Sequence, residues 1–522
     1  MIIFYKAFIS VMGMALMVFV LGRPLFLRLM SPSDFAIRRN LWLAVTVAAF
    51  TIPNYWLYLL VIAILVVYAA KRDSSPGALY MMLLLTLPPG GKELPTFGIA
   101  NQLLLLDNLR FLSLVLLLPL ALGFFRRDYA TIGNASNQRP SSRVLLADVL
   151  ILFLVLLQIV LVMPYVSITA TGKRIVVMII DILLPYYALS RTCRTRESFH
   201  DLMAAFVMSA LLLVPMAMFE TFKSWLLYFG FTEHWDTVLH MTYLVRGSNL
   251  RAQVNAGHSI VLGFSFAIAL GFWFSLQTRV TNAKWRWFVL LSLMTGLLVT
   301  FARGPWVGAV AIWIVFLGLG PNARWRSAKA LGFLVVGVSV LALSPWGATA
   351  IDNIPFIGTV GSESVEYRQR LAETSWLLIL QNPLFGSLNF LTYMEDLRQG
   401  EGIIDLVNTY ATLALSYGLV GLILFIAIFG TILMQCIKSL KMTTEIDANF
   451  ALTGSAIVAA LTGALVMLFT VSMYMSIAPL TWALAGLGVT YVRLAQEFFD
   501  EEAAVPNVSN SNVELVPTLR GL

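Results

Sequence analysis

One apolar stretch after another, each close to the length of a membrane-crossing helix, decides what this chain can become. VLLADVLILFLVLLQIVLVM (144–163) and VGLILFIAIFGTILMQC (420–436) are two of them. A helix rises about 1.5 Å per residue, so about 20 apolar residues cross the ~30 Å hydrocarbon core of a bilayer. Inside hydrocarbon the backbone must satisfy its own hydrogen bonds, and apolar runs of this length do so as helices. The 522 residues are 59% hydrophobic and 12% charged, about half the charge of a soluble domain. A water-soluble fold is excluded.

Runs bounded by charge, Pro or Gly place spans near 7–22, 54–70, 76–89, 110–124, 144–163, 174–190, 201–219, 257–277, 286–301, 305–320, 329–344, 409–433, 450–470 and 476–492. Segment 41–51 is too short for a span of its own. It reads as a re-entrant helix or as the first part of a long helix bent near Pro53, giving a total of about 14. The first run has no small-residue cleavage pattern behind it and is expected to remain as the first helix. The expectation is an all-α polytopic bundle over residues 1–493, followed by a polar, disordered cytoplasmic tail at 494–522.

The formal charge of +8 is spread over short loops instead of one basic block, so it reports topology and argues against a nucleic-acid partner. Arg126, Arg127, Arg139 and Arg143 share one loop, and Arg191, Arg194 and Arg196 share another. Arg279, Lys284 and Arg286 follow, then Arg324, Arg326 and Lys329, and finally Lys438 and Lys441. By the positive-inside rule these loops face the cytoplasm. The long loops 220–256 and 345–408 then lie on the opposite, outer face. They hold most of the unusual polar residues. His234 and His240 lie in the first and His258 beside it, while the second carries Asp352, Glu363, Glu366, Glu373, Glu395, Asp396, Glu401 and Asp405. The isolated histidines and unpaired acids predict no metal ion, and no cofactor motif is present. Two cysteines, Cys193 and Cys436, support neither a disulfide framework nor a thiolate site.

Three constellations could carry chemistry. Arg303, in FARGPWVG, stands at a tight turn between two apolar runs, where a charge is expensive unless it snorkels or binds something. A guanidinium matches phosphate because its planar fork donates two parallel hydrogen bonds and stays charged. In LVRGSNLRAQVNAGHSIVLG (244–263), Arg246 and Arg251 precede a span that Gly257 and His258 open. Cations approaching a helix N-terminus make a phosphate cradle. The third stretch runs from SVEYRQRLAETSWLLILQNPLFGSLNF (364–390) to DLVNTYATLALSYGLVG (405–421). Leu371, Trp376, Leu377 and Leu380 suit an amphipathic helix lying on the bundle, opened by Arg370 and ended by Asn382, Pro383 and Gly386. Asp405, Asn408 and Tyr410 lead into the next span.

Taken in order, this set resembles the Wzy-type polysaccharide polymerase and O-antigen ligase superfamily. FARGPWVG is similar to that family's Arg-Gly-x-Trp turn, and it is followed by an Arg before a helix ending in Asn-Pro-Leu-Phe-Gly. An Asn-Thr-Tyr entry then leads to a span with a Gly-Leu-x-Gly-Leu pattern, so the likeness covers roughly residues 240–435. The resemblance implies an integral-membrane glycosyltransferase of the GT-C-like type, acting without metal on undecaprenyl-diphosphate-linked glycans at the periplasmic face. It implies that Arg246 or Arg251, with Arg303, holds the diphosphate, and that Arg370 is a further candidate. Ligases place a His before the Asn of the last motif; here that position is Val407, which favours a polymerase.

The expected reaction is attack by a sugar hydroxyl of one lipid-linked glycan on another, with the diphosphate-lipid leaving. Arginines would stabilise the leaving charge, and Asp405 or Glu366 would take the hydroxyl proton. His258, Asn408 and Tyr410 are expected substrate contacts. A chain-length regulator and a flippase are the expected protein partners. The rival readings are an O-antigen ligase and a lipid-linked glycan transporter, the latter suggested by the intramembrane acids Asp148 and Asp181.

Overall fold

The computed structural model describes residues 2–94, 104–133, 146–239, 241–320, 362–398 and 404–504. Helices come first and dominate: α1 (Ile2–Leu21), α2 (Arg23–Leu29), α3 (Pro32–Thr51), α4 (Tyr55–Ala70) and α5 (Pro76–Leu83). The hairpin β1 (Gly91–Glu93) with β2 (Leu105–Asp107) leads to α6 (Asn108–Leu112), α7 (Leu118–Gly133), α8 (Leu146–Val162), α9 (Ile168–Met178), α10 (Leu184–Thr192), α11 (Arg196–Lys223) and α12 (Phe231–Trp235). A second antiparallel hairpin, β3 (Val245–Arg246) with β4 (Asn249–Leu250), precedes α13 (Ser259–Leu276), α14 (Ala283–Leu298) and α15 (Arg303–Gly318). The last described helices are α16 (Ser362–Gln381), α17 (Thr409–Ile446), α18 (Ala448–Met467) and α19 (Ile477–Ala504).

Among the described residues, nine helices are long and apolar enough to cross a membrane, so the chain is an all-α, multi-pass membrane protein. Tyr55–Ala70 and Arg303–Gly318 are shorter apolar helices beside them. Burial separates centre from rim: 89% of the apolar window in Ser259–Arg279 is enclosed, against 22% in Ile2–Leu21. α13 packs on α15 and α18, and α19 on α10 and α17, around one apolar core that runs from Ala7 to Ala495. Local chemistry starts the helices where the sequence supplies a cap. Ser31 accepts from the Asp34 amide (3.1 Å), Asn54 from Leu57 (3.0 Å) and Asp447 from Asn449 (2.9 Å).

Several expectations about spans change. Segment 41–51 is neither re-entrant nor part of a bent helix. It is the second half of α3, whose first half is polar in sequence but buries Asp34 and Arg38, with Arg38 donating to Asp73 (2.9 and 2.8 Å) and to Asp201. Run 76–89 is only α5 followed by turns, and its apolar residues are enclosed by protein. The runs 110–124 and 174–190 each carry a π-helical turn, Ser113–Leu117 and Ile179–Leu183. α19 continues through residue 493 to Ala504, and on the way Arg493 donates to the Cys193 carbonyl (2.8 Å). The run 329–344 lies outside the described residues.

α16 begins at Ser362, so Arg370 sits in its middle and does not open it. Leu371 is buried, but Trp376, Leu377 and Leu380 are exposed, so most of its apolar side faces away from the bundle. In a bilayer-bound protein that side has lipid to cover it, and apolar character does not imply the interior. α17 is interrupted at Gly418 (φ +67°), where the loop after α16 lies against it.

Candidate active site

The turn between α14 and α15 is the site's foundation. Phe301 adopts φ +47°, a left-handed conformation that non-glycine residues rarely take, and this turn frees the Thr300 and Phe301 carbonyls. The Arg246 guanidinium donates to the Phe301 carbonyl (2.7 Å) and the Arg251 Nε to the Thr300 carbonyl (3.3 Å). The Ala252 amide donates to the Val299 carbonyl (3.1 Å), so the β3–β4 hairpin is laid onto this turn by side chain and backbone together. Arg303 is the first residue of α15, directly after the turn. Gly304 is required beside it: a Cβ there would stand 2.1 Å from the Thr470 hydroxyl.

Four arginines share one electrostatic neighbourhood. Burial, and then the positive charges of Arg303 and Arg368, push Arg246 down to about 10 from 12.5. Burial, with Arg246 and Arg368 behind it, pushes Arg251 down to about 10 as well, against a smaller opposing effect of Tyr474. Arg368 keeps an exposed side chain, and the protein packed beside it and Arg303 lower it, with Asp405 pulling the other way. Groups that depress one another's charged forms in this way gain when an anion comes between them. A compact polyanion is the ligand this field favours.

Among the described residues, Asp405 is an acid that bears on the cluster through Arg368. Tyr367 on α16 pins its backbone, the Asp405 amide donating to the Tyr367 hydroxyl (3.0 Å) and that hydroxyl reaching the Asp405 carbonyl (3.3 Å). The carboxyl is raised above the usual carboxylate range by the bulk around it, against the pull of Arg368. Tyr474 feels both Asp405 and Arg251, and its ring stands edge-on to His258 with centroids 5.7 Å apart. His258 caps α13, its Nδ1 accepting the Ile260 amide (3.2 Å). Burial and Arg251 lower it to about 4, so it is neutral near pH 7. With Nδ1 accepting, the proton of the neutral ring lies on Nε2, which leaves His258 without a free basic nitrogen.

The remaining expected residues divide. Asn408 caps α17, accepting from the amides of Tyr410 (2.9 Å) and Ala411 (3.1 Å), and the Tyr410 hydroxyl donates to the Leu465 carbonyl (2.8 Å). Both shape the site from below. Glu366 is exposed on α16. Arg370 is exposed too, 3.6 Å from Asp396, and is not among the groups that bear on the cluster. His234 bonds the Ile52 carbonyl (3.1 Å) in an aromatic cluster with Phe4 and Phe231, and His240 lies outside the described residues.

Arg368, exposed on α16 like Arg370, is the arginine of that helix whose charge bears on Arg246 and Arg251. Two residues apart on a helix point to different faces, and the stretch 364–380 offers no sequence signal for which face meets the bundle. Arg368 also stands at one end of a cavity of about 240 Å³ lined along α16 by Leu371, Ser375 and Ile379, and opposite by Val407, Asn408 and Phe469. Tyr474 is a second residue that sequence reading passed over, since a lone Tyr after a span reads as an interface anchor. Among the described residues no three His, Cys, Asp or Glu side chains come together as a metal site.

Residues 287–426 match the O-antigen ligase family. No curated protein matches the chain. The matched segment includes the Arg303 turn, Arg368, Asp405 and the entry to α17, while Arg246, Arg251, His258 and Tyr474 lie outside it.

Proposed function

We propose, from the likeness of residues 287–426 to the O-antigen ligase family within the superfamily of Wzy-type polymerases and O-antigen ligases, that this chain polymerises undecaprenyl-diphosphate-linked repeat units at the periplasmic face of the bacterial inner membrane. Members of this superfamily process lipid-linked glycans in the membrane. The observation that carries the finer reading is that Arg246 and Arg251 both bond the turn that Arg303 directly follows, with Arg368 and Asp405 within electrostatic reach of it.

The arrangement divides the reaction among this chain's own residues. The arginines hold the diphosphate of the donor and stabilise the negative charge that grows on it as the bond to the anomeric carbon breaks. An acceptor sugar hydroxyl forms the new bond to that carbon, and Asp405 takes its proton. The fixed guanidinium charges supply what a metal ion would otherwise provide. The apolar cavity leading from Arg368 along α16 suits the hydrocarbon next to the diphosphate.

Val407 lines that cavity where a ligase would carry its His, which favours polymerase over ligase. The acids that suggested a transporter are paired: Asp181 accepts from Arg110 (2.8 Å), and Asp148 from Arg191 (3.0 Å) and from the Tyr186 hydroxyl (2.5 Å). Paired acids between neighbouring helices staple the bundle. A chain-length regulator and a flippase fit as partners of this reaction. The test is reconstitution of the purified chain with a lipid-linked repeat unit alone. Products of increasing length are expected; transfer only when a second, unrelated acceptor is added would make it a ligase, and movement across the bilayer without new bonds a transporter.

A further inference from the structure

Glu220, near the end of α11, is fully buried and has its carboxylate filled by backbone amides. Its Oε1 accepts from Leu227 (2.8 Å), and its Oε2 from Gln253 (2.9 Å) and Val254 (2.8 Å). The two residues before Gln253 are held as well, the Ala252 amide by the Val299 carbonyl (3.1 Å) and the Arg251 amide by the Leu244 carbonyl (2.9 Å). Four successive amides, 251 to 254, thus lead from the arginine site to Glu220. Val254 at φ +46° is a β-branched residue in left-handed backbone, a conformation that persists only where its surroundings hold it. α11 adds a second tie to the same turn, the Thr221 hydroxyl donating to the Val299 carbonyl (3.1 Å).

We infer that Glu220 is a positioning residue of the diphosphate site: its carboxylate fixes the strained segment that sets Arg251 and Arg246 against Arg303. This rests on the reading of the arginine cluster as a diphosphate site. A carboxylate is suited to the task because it offers acceptors only, on two oxygens, where three donors converge. In Glu220→Gln one oxygen becomes an NH2 facing an N–H, so either Leu227 or the Gln253–Val254 pair loses its acceptor. The segment then relaxes although every arginine remains. Misplacement on the scale of 1 Å is enough to weaken a preorganised site strongly.

The experiment uses the purified full chain in nanodiscs and farnesyl diphosphate as the probe. Glu220→Gln is compared with Arg196→Gln, which removes the ion pair to Asp447 at the other end of the same helix. The expected result is faster amide exchange over residues 251–256 and an affinity for farnesyl diphosphate weaker by about tenfold or more. Arg196→Gln, at an equal or lower thermal midpoint, should keep wild-type affinity. Glu220→Asp, which keeps the charge but falls short of the amides, should lose affinity too, and it replaces Glu220→Gln if that variant is not retained in the membrane. Unchanged affinity in both Glu220 variants overturns the inference, as does a loss that Arg196→Gln reproduces. A wild-type chain that fails to bind farnesyl diphosphate defeats the diphosphate reading itself, a failure visible before any variant is measured.

Discussion

Gly386 and Gly418 interlock. Gly418 interrupts α17 with φ +67°, Gly386 follows the end of α16 with φ +66°, and neither has room for a side chain. A Cβ on Gly418 would lie 2.1 Å from the Leu384 carbonyl oxygen, and one on Gly386 2.4 Å from the Leu415 carbonyl oxygen. The break in α17 leaves backbone groups that the loop satisfies: Ser387 donates to the Leu415 carbonyl (2.8 Å) and Leu419 to the Pro383 carbonyl (2.8 Å). Asn-Pro-Leu-Phe-Gly and the glycine pattern at 418–421 are two halves of one junction, which locks α16 to α17 and holds Arg368 and Asp405 on facing elements.

Gly418→Ala should therefore break the fold at this joint. Its backbone lies in a region open essentially to glycine alone, at a cost of about 1–3 kcal/mol, and the overlap with the Leu384 carbonyl adds to that. Membrane-inserted protein level and thermal midpoint in detergent are the readouts. Gly430→Ala, where a Cβ meets nothing within 4 Å, should behave as wild type.

Much of the fold was legible because hydrocarbon leaves the backbone so few choices; α8, α11, α13, α17 and α18 fall where the apolar runs put them. Arg38 shows why α3 was missed: its charge ends an apolar run in sequence, yet three dimensions bring Asp73 and Asp201 to it. α5 shows the converse, an apolar run enclosed by protein instead of crossing lipid. At the site, the Arg303 turn, Arg246, Arg251, His258 and Asp405 were readable as residue types at helix ends. Arg368 and Glu220 were not, since one depends on the rotation of α16 and the other on amides more than thirty positions away in the chain.

Chelation should leave activity intact. The positive charge at the site is carried by guanidinium groups, and polymer formation by the reconstituted chain is expected to be the same in EDTA as in buffer. Loss in EDTA with recovery on adding Mg²⁺ or Mn²⁺ would show that the arginines do not suffice.

Arg303→Lys keeps the charge and loses the fork, while Arg303→Ala loses both. Charge-assisted hydrogen bonds contribute about 1.5–3 kcal/mol each, so Lys should cut polymer yield about tenfold or more and Ala further. Protein level is measured alongside, so that a loss of polymer at equal membrane-inserted protein is read as a loss of function. Wild-type polymer from Arg303→Ala at equal expression would make this arginine a membrane anchor.

Arg368 and Arg370 give a sharper contrast, being neighbours in sequence with different surroundings. Arg368→Gln should weaken binding of a lipid diphosphate by about tenfold, as the loss of a charge-assisted contact implies. Arg370→Gln breaks only an exposed pair with Asp396, worth about 0–1 kcal/mol, and should bind normally. Reversed outcomes would mean that α16 presents its other face to the substrate.

Asp405 should set the acid limb of the pH–rate profile. As a base it works only when ionised, so kcat/KM should rise with pH through its pKa and level off above it. The bulk around the carboxyl raises that pKa above the usual carboxylate range, and Arg368 lowers it in part. Removing Arg368 takes away the lowering influence and leaves the raising one, so in Arg368→Gln the limb should move to higher pH even though the rate is lower throughout. Asp405→Asn should lose about 10²–10⁴ in rate and show no acid limb from this group. His258 is set apart by its surroundings: burial and Arg251 lower it and Arg368 is not among the causes, so a limb that moves in Arg368→Gln reports Asp405 and not His258. A limb that stays in place in Arg368→Gln, together with near wild-type turnover in Asp405→Asn, would move the proton acceptor away from Asp405 to another acid of the same loop, with Glu366 on α16 the first to substitute.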